Sequence, residues 1–148
     1  MKRVVVSLLI VFISVNGLFS QNWLTDLEDA KEISKEKELP ILLVFSGSDW
    51  CGPCIKLDRN IWKTNEFIDY SKDHFVLLRA DFPRSRNNQL SAEQMKKNEA
   101  LAEKYNTRGF FPLVVLLDSE GNVLGTTGYK DVSPTEYIEI LESLKLSR

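Results

Sequence analysis

Hydrophobic and polar positions along the chain follow two patterns, and their alternation predicts an α/β domain. Continuous apolar runs at 41–45, 75–78 and 113–117 are typical of strands that are buried on both faces. Around these runs, apolar residues recur every three or four positions, as they do on one face of a helix. This spacing predicts helices over residues 23–37, 54–62, a short segment after 64, 91–105 and 133–144.

Capping residues and helix breakers mark the ends of these elements. Thr25 or Asp26 is a suitable N-cap for the first helix, and Pro40 stops that helix before the strand. Residues 91–94 and 133–136 are capping boxes of the Ser-x-x-Gln and Ser-x-x-Glu forms. The connections predict a mixed central sheet flanked by helices, with a final antiparallel hairpin and an N-terminal helical extension.

Segment 82–90 has the composition of a loop. It contains Arg84 and Arg86, which could contact an acidic partner, although a solvated loop is the simpler interpretation. His74 lies at the start of the second strand, and we expect it to have no functional role.

The first twenty residues resemble a secretory signal peptide. Lys2 and Arg3 precede an apolar run of about 12 residues, followed by small residues suited to cleavage near Ser20. A retained membrane anchor is the alternative, but a bilayer span needs about 20 apolar residues. We therefore predict a signal peptide at 1–20, a single domain at 21–148, and an exported protein that is periplasmic in a bacterium and otherwise secreted.

Charge argues against a nucleic-acid partner. The formal net charge of the 148 residues is −2, and it becomes −4 without Lys2 and Arg3. No basic stripe is present, so binding to a polyanion is not indicated.

The candidate chemistry is in residues 50–54, Trp-Cys-Gly-Pro-Cys, which contain the two cysteines of the chain. They lie between an apolar strand and a helical segment. A thiolate at a helix N-terminus is stabilised by unpaired N–H groups and the helix dipole, which predicts Cys51 as the nucleophile. Cys54, one turn further along, is predicted to resolve the mixed disulfide.

Three other interpretations of the cysteine pair stay open. Zinc normally takes four ligands, and the chain has one His and no further Cys. A purely structural disulfide would close a very short loop and remove little chain entropy. A pair of reduced core thiols would be unusual around Gly52 and Pro53. Redox exchange is the interpretation that we favour.

Residues 50–54 are identical to the active-site motif of thioredoxin, and residues 24–146 resemble the thioredoxin-like family, especially exported members and the soluble domain of DsbD disulfide interchange proteins. The resemblance implies a thioredoxin fold. It also implies that Pro112 is the family's cis-proline, which faces the thiols and lies beside the client chain. Within the motif, Gly52 leaves the approach to Cys51 open, and Pro53 suits the first turn of a helix. Trp50 is either a core residue or a platform beside the site.

The chain departs from thioredoxin in two places. One extra residue separates Gly109 from the proline, and the residue before the proline is Phe111. We expect Phe111 to influence client choice or redox poise, with a core aromatic as the alternative. Phe45 and Leu77 replace a buried Asp–Lys pair. We therefore hypothesised that Cys54 loses its proton without a buried carboxylate, or that Asp49 or Asp58 substitutes.

These observations predict a thiol–disulfide oxidoreductase that reduces or exchanges disulfides of exported proteins. Its redox centre would be the Cys51–Cys54 couple, with no separate cofactor and no metal. Its partners would be disulfide-containing clients and a membrane-bound electron donor, with no nucleic acid, and the protein is expected to be a monomer. The alternatives are an oxidase or isomerase on the same scaffold, a non-catalytic binding module, or a metal chaperone.

Overall fold

A computed structural model describes residues 21–145, so the predicted signal peptide lies outside the described residues. Four strands form one sheet in the order β2-β1-β3-β4. They are β1 (Ile41–Ser46), β2 (Val76–Asp81), β3 (Leu113–Leu117) and β4 (Val123–Thr127). β1 pairs in parallel with β2 and antiparallel with β3, and β4 forms the antiparallel edge. The predicted mixed sheet is confirmed.

Helices cover both faces of the sheet. They are α1 (Leu27–Lys37), α2 (Gly52–Leu57), α3 (Asn65–His74), α4 (Ala92–Tyr105) and α5 (Pro134–Lys145). A π-helical turn at Asp58–Trp62 continues α2. His74 ends α3, where its ring stacks on Tyr70.

The core has two halves, one on each face of β1, and every residue of this strand is buried. Leu42 and Val44 face a cluster that includes Trp62 and Tyr137. Ile41, Leu43 and Phe45 face a second cluster, which includes Ala30 of α1 and Leu101 of α4. This double burial explains why β1 is apolar at each position from 41 to 45.

The predicted N-cap Asp26 is confirmed, but Leu24, predicted to lie on the apolar face of the first helix, precedes that helix. α1 begins at Leu27, with the Asp26 carboxylate accepting hydrogen bonds from the N–H groups of Glu28 and Asp29. Leu24 instead pairs with the outer edge of β2: its N–H donates to Leu77 O, and its carbonyl accepts from Arg79 N–H, both at 2.9 Å. An extended backbone here satisfies the edge of β2, which a helix could not do.

The two capping boxes differ. Ser133 and Glu136 bond reciprocally at the start of α5, as predicted. At the start of α4, Ser91 Oγ accepts from Gln94 N–H, but the Gln94 side chain donates to Thr25 O at 2.9 Å. Gln94 therefore ties α4 to the segment before α1. No helix within residues 21–145 has the length and apolarity to cross a bilayer.

Candidate active site

The loops that follow β1, β2 and β4 meet the loop that precedes β3 at one end of the strands. Because β1 and β2 are parallel and β3 is antiparallel to β1, the ends of β1 and β2 lie beside the start of β3. The N–H of Phe82 donates to Ser46 O at 2.8 Å, which joins the loops after β1 and β2. The cysteine motif begins at this end of the strands, on a loop that leaves the most buried strand.

The two cysteines form a disulfide, with their α-carbons 5.2 Å apart. Cys51 is the N-cap of α2, and its Sγ accepts from the N–H of Cys54 at 3.2 Å. Pro53 lies in the first turn, where its missing N–H costs the helix nothing. Both cysteines are buried, at 5% and 3% exposure. The sulfur of Cys51 thus lies where unpaired helix N–H groups are concentrated.

Gly47 and Trp50 hold the cysteine motif in place through hydrogen bonds to the motif and to the loop after β2. The Gly47 N–H points to Cys54 Sγ at 3.5 Å, and its carbonyl accepts from Cys51 N–H at 2.9 Å. The Trp50 indole N–H donates to Phe82 O at 2.7 Å. Trp50 is half-buried and directly precedes Cys51 in the chain.

The Phe111–Pro112 peptide bond is cis, as the family resemblance implied. Phe111 packs edge-on against both Trp50 and Phe82, with ring centroids 5.5 Å apart in each case. Its side chain is therefore committed to an aromatic cluster inside the loops. The preceding Phe110 is the exposed aromatic, at 54%.

Asn106 holds Phe110 in place, and sequence reasoning did not identify this residue. The buried Asn106 side chain accepts from Phe110 N–H at 2.9 Å and donates to Phe110 O at 2.8 Å. The Asn106 side-chain amide thus makes the two hydrogen bonds to the Phe110 backbone that a neighbouring strand would otherwise make. The only sequence signal is an Asn between a helix end and Gly-Phe-Phe-Pro.

Gly128 and Tyr137 support the proline from the other side. A Cβ on Gly128 would lie 3.4 Å from the carbonyl oxygen of Pro112, so this glycine packs directly against the proline backbone. The buried Tyr137 hydroxyl donates to Gly128 O at 2.8 Å. Burial raises the pKa of Tyr137 above its ordinary value, so the hydroxyl stays a donor at neutral pH.

Asp49 is turned toward the loop after β2 and hydrogen-bonds no cysteine. Its carboxylate accepts from Arg84 N–H at 2.9 Å, Ser85 N–H at 2.8 Å and the Asn88 side-chain amide at 3.0 Å. The Arg84 N–H, followed by the Asn88 amide, holds the pKa of Asp49 below its ordinary value. Asp49 therefore orders this loop, and its low basicity makes it poorly suited to accept a proton from Cys54.

Asp58 is engaged on the other side of α2. It pairs with Arg79 at 3.0 Å and with Lys63, and the Arg79 guanidinium lies 4.3 Å from the centre of a Trp23 ring. Phe45 and Leu77 are buried apolar residues, so the interior carries no ion pair at those two positions. Neither aspartate that we considered as a substitute base hydrogen-bonds Cys54. Among residues 21–145, no group of three or more His, Cys, Asp or Glu side chains could hold a metal ion.

Comparison with known proteins places this geometry in context. A family model described as a thioredoxin-like domain matches residues 27–145. The disulfide bond reductase DsbH of Chlamydia pneumoniae is 37% identical over 119 residues, which are 80% of this chain and 70% of that protein.

Solved structures agree with the family match. A DsbH oxidoreductase structure superposes with a TM-score of 0.78 at 33% identity, covering 87% of both chains. The oxidised C-terminal domain of DsbD from Neisseria meningitidis superposes with a TM-score of 0.53, covering 78% of this chain and 89% of that one. At 20% identity, the second match concerns the fold alone.

Proposed function

This chain belongs to the thioredoxin-like domain family, and from that premise we propose that it reduces protein disulfides through Cys51 and Cys54. The observation that carries the proposal is the disulfide at the start of α2, with Cys51 as the helix N-cap. The reducing direction is supported by the similarity to the disulfide bond reductase DsbH and by the Gly-Pro pair between the cysteines.

The reaction needs only these two sulfurs. The Cys51 thiolate attacks one sulfur of a client disulfide and forms a mixed disulfide with it, while the client S–S bond breaks and the other client sulfur leaves as a thiolate. Cys54 then loses its proton and attacks Cys51 Sγ, which releases the second client thiolate and forms the Cys51–Cys54 disulfide. Two electrons pass to the client, and two protons neutralise its thiolates.

The geometry supports this order of attack. The N–H of Cys54 donates to Cys51 Sγ, so a thiolate on Cys51 would keep that donor. Cys54 is one turn inside the helix and receives the Gly47 N–H. Trp50 and the cis-proline loop border the motif and would receive the client backbone. No organic cofactor or metal takes part in these steps.

The oxidised protein must be reduced again after each cycle. We propose a dithiol on a membrane-bound electron donor as the reductant, because an exported reductase has no access to the cytosolic thiol pool. The exported location rests on the signal-like residues 1–20, and we propose that the domain acts as a monomer.

Two cysteine variants test the proposal. Cys51→Ser should lose reduction of a protein disulfide, whereas Cys54→Ser should accumulate a mixed disulfide with the client that a thiol reagent releases. Equal rates for Cys51→Ser and the unaltered protein would disprove the mechanism. The reduction potential tests the direction: a value near −270 mV fits a reductase, and one near −120 mV fits an oxidase.

A further inference from the structure

The loop after β2 presents an arginine to the active site in a fixed position. The Arg84 guanidinium lies 3.7 Å from the centre of a Trp50 ring, and Trp50 is adjacent to Cys51 in the chain. The loop backbone is fixed by the Asp49 carboxylate through the N–H groups of Arg84 and Ser85. Because the loop is tied down at this point, Arg84 is a defined part of the site and not part of a freely solvated loop.

Two more arginines lie in the loops at this end of the sheet. Arg86 is exposed in the 3₁₀ turn Arg86–Asn88, and Arg108 is exposed two residues before Phe110. Among the described residues, none of the three arginines pairs with a carboxylate. Their outer N–H groups are therefore free for a ligand.

Two aspartates near the same end of the sheet, Asp49 and Asp81, accept hydrogen bonds from the loops. Asp49 accepts three hydrogen bonds from the loop, and Asp81 accepts from the N–H and hydroxyl of Ser48. The chain as a whole is nevertheless acidic, with a net charge of −4 without residues 1–20. Arg84, Arg86 and Arg108 are thus exposed positive charges on a molecule of net negative charge.

Resting on the proposed reductase function, we propose that Arg84, Arg86 and Arg108 form a specificity surface for acidic client segments. The preferred substrates are disulfides whose cysteines are flanked by Asp or Glu. A guanidinium recognises a carboxylate through paired N–H donors, and its field raises the rate of encounter with an oppositely charged partner.

The test compares two disulfide peptides of the same core sequence, flanked by Glu in one and by Lys in the other. The second-order rate constant with the reduced protein is measured by stopped flow. At about 0.01 M ionic strength, where the Debye length is about 30 Å, the acidic peptide should react about fivefold faster or more. At about 1 M, where the Debye length is about 3 Å, the ratio should approach one.

Charge reversal locates the effect. Arg86→Glu and Arg108→Glu should each reduce the ratio, because each reverses one charge of the proposed surface. Among residues 21–145 neither side chain forms an ion pair that the change would break. Lys37→Glu, an equal charge change on the last turn of α1 at the opposite end of β1, should leave the ratio unchanged. Arg84→Lys should keep most of the preference, and Arg84→Gln should lose part of it. Lys37→Glu should also reduce an uncharged small disulfide at the rate of the unaltered protein.

Equal rates for the two peptides at low salt would overturn the inference, as would an equal effect of Lys37→Glu. In either case reduction of both peptides would leave the proposed function intact. If no disulfide is reduced, or if Cys51→Ser is fully active, the proposed function fails and this inference fails with it.

Discussion

The indole ring of Trp50 lies against the α-carbon of Gly47, and no space remains between them for a Cβ. A methyl group on Gly47 would lie 2.6 Å from Cζ2 and 2.7 Å from Nε1 of the indole. The same glycine donates its N–H toward Cys54 Sγ. The position of the aromatic platform and the environment of the second sulfur therefore depend on one missing side chain.

Gly47→Ala should displace Trp50 and reduce stability. Forcing a methyl group into a packed site typically costs about 1–3 kcal/mol, which urea unfolding would measure. The tryptophan emission of the folded protein should also shift, because Trp50 would lose its bond to Phe82 O. Gly52→Ala is the matched control, since nothing lies within 4 Å of its Cβ position. A loss of stability as large for Gly52→Ala as for Gly47→Ala would contradict this account.

Asn106→Ala should loosen the segment that leads into the cis-proline. The variant loses two hydrogen bonds to Phe110, each worth about 1 kcal/mol net, although the exposed Phe110 backbone regains water. We expect a loss of about 1–2 kcal/mol and a larger fall in the reduction rate of protein clients than of a small uncharged disulfide. Asn106→Asp keeps the acceptor for Phe110 N–H but places a carboxylate against Phe110 O, so it should be at least as harmful. Equal falls for both substrates would exclude a role in client positioning.

Asp58→Asn should change stability without changing the chemistry. Asp58 and Arg79 are both only about a quarter exposed, and the variant leaves the guanidinium without its carboxylate. Because this ion pair is intermediate between a surface pair and a buried pair, we expect the variant to lose roughly 1–2 kcal/mol of unfolding free energy. The pH dependence of the reduction rate should be unchanged, since Asp58 does not bond Cys54. A shifted pH profile with unaltered stability would restore Asp58 as a proton acceptor.

Asp49 should contribute to stability only above acidic pH. Its pKa is lowered in the folded protein, so its stabilising effect is complete above the ordinary aspartate pKa of about 4. That effect is lost as the pH falls through the lower folded-state pKa, because the unfolded chain binds the proton first. Asp49→Asn should therefore be less stable at pH 7, and its stability should fall less steeply below about pH 4.

Urea midpoints measured at several pH values would check this sign. Asn88→Ala is the control, because it removes one donor and leaves the two backbone donors to the carboxylate. In Asn88→Ala, stability should fall with decreasing pH almost as steeply as in the unaltered protein. A steeper acid dependence in Asp49→Asn would show that the assignment is wrong.

The parts of the fold that could be predicted are those specified by local patterns. The runs at 41–45 and 113–117 are apolar because both faces of these strands are buried, and that burial is visible in composition. The Ser133–Glu136 box is similarly local. The N-cap Asp26 is similarly local and is confirmed, whereas the assignment of Leu24 to the helix is wrong because Leu24 pairs with a strand edge more than fifty residues later, which periodicity cannot reveal.

The two cysteines of the candidate site could be predicted from the sequence, but the contacts of the residues around them could not. Spacing alone indicates that Cys51 and Cys54 can bond, and the motif resembles that of a known family. The partners of Asp49 are 35 to 39 residues away, so no local rule connects them. Phe111 was selected as the residue before the proline, but the exposed aromatic is Phe110, because the buried side of the loop is already filled by Phe111, Trp50 and Phe82.

The short pairing of Leu24 with the outer edge of β2 limits how far the N-terminus can be trimmed. Without it, the backbone groups of Leu77 and Arg79 that now bond to Leu24 would be open to a strand from another molecule. Proteolysis beyond Leu24 would thus expose the edge of β2 at Leu77 and Arg79 to pairing with a strand of another molecule. We therefore expect a chain cleaved after Leu24 to self-associate more readily than the intact one.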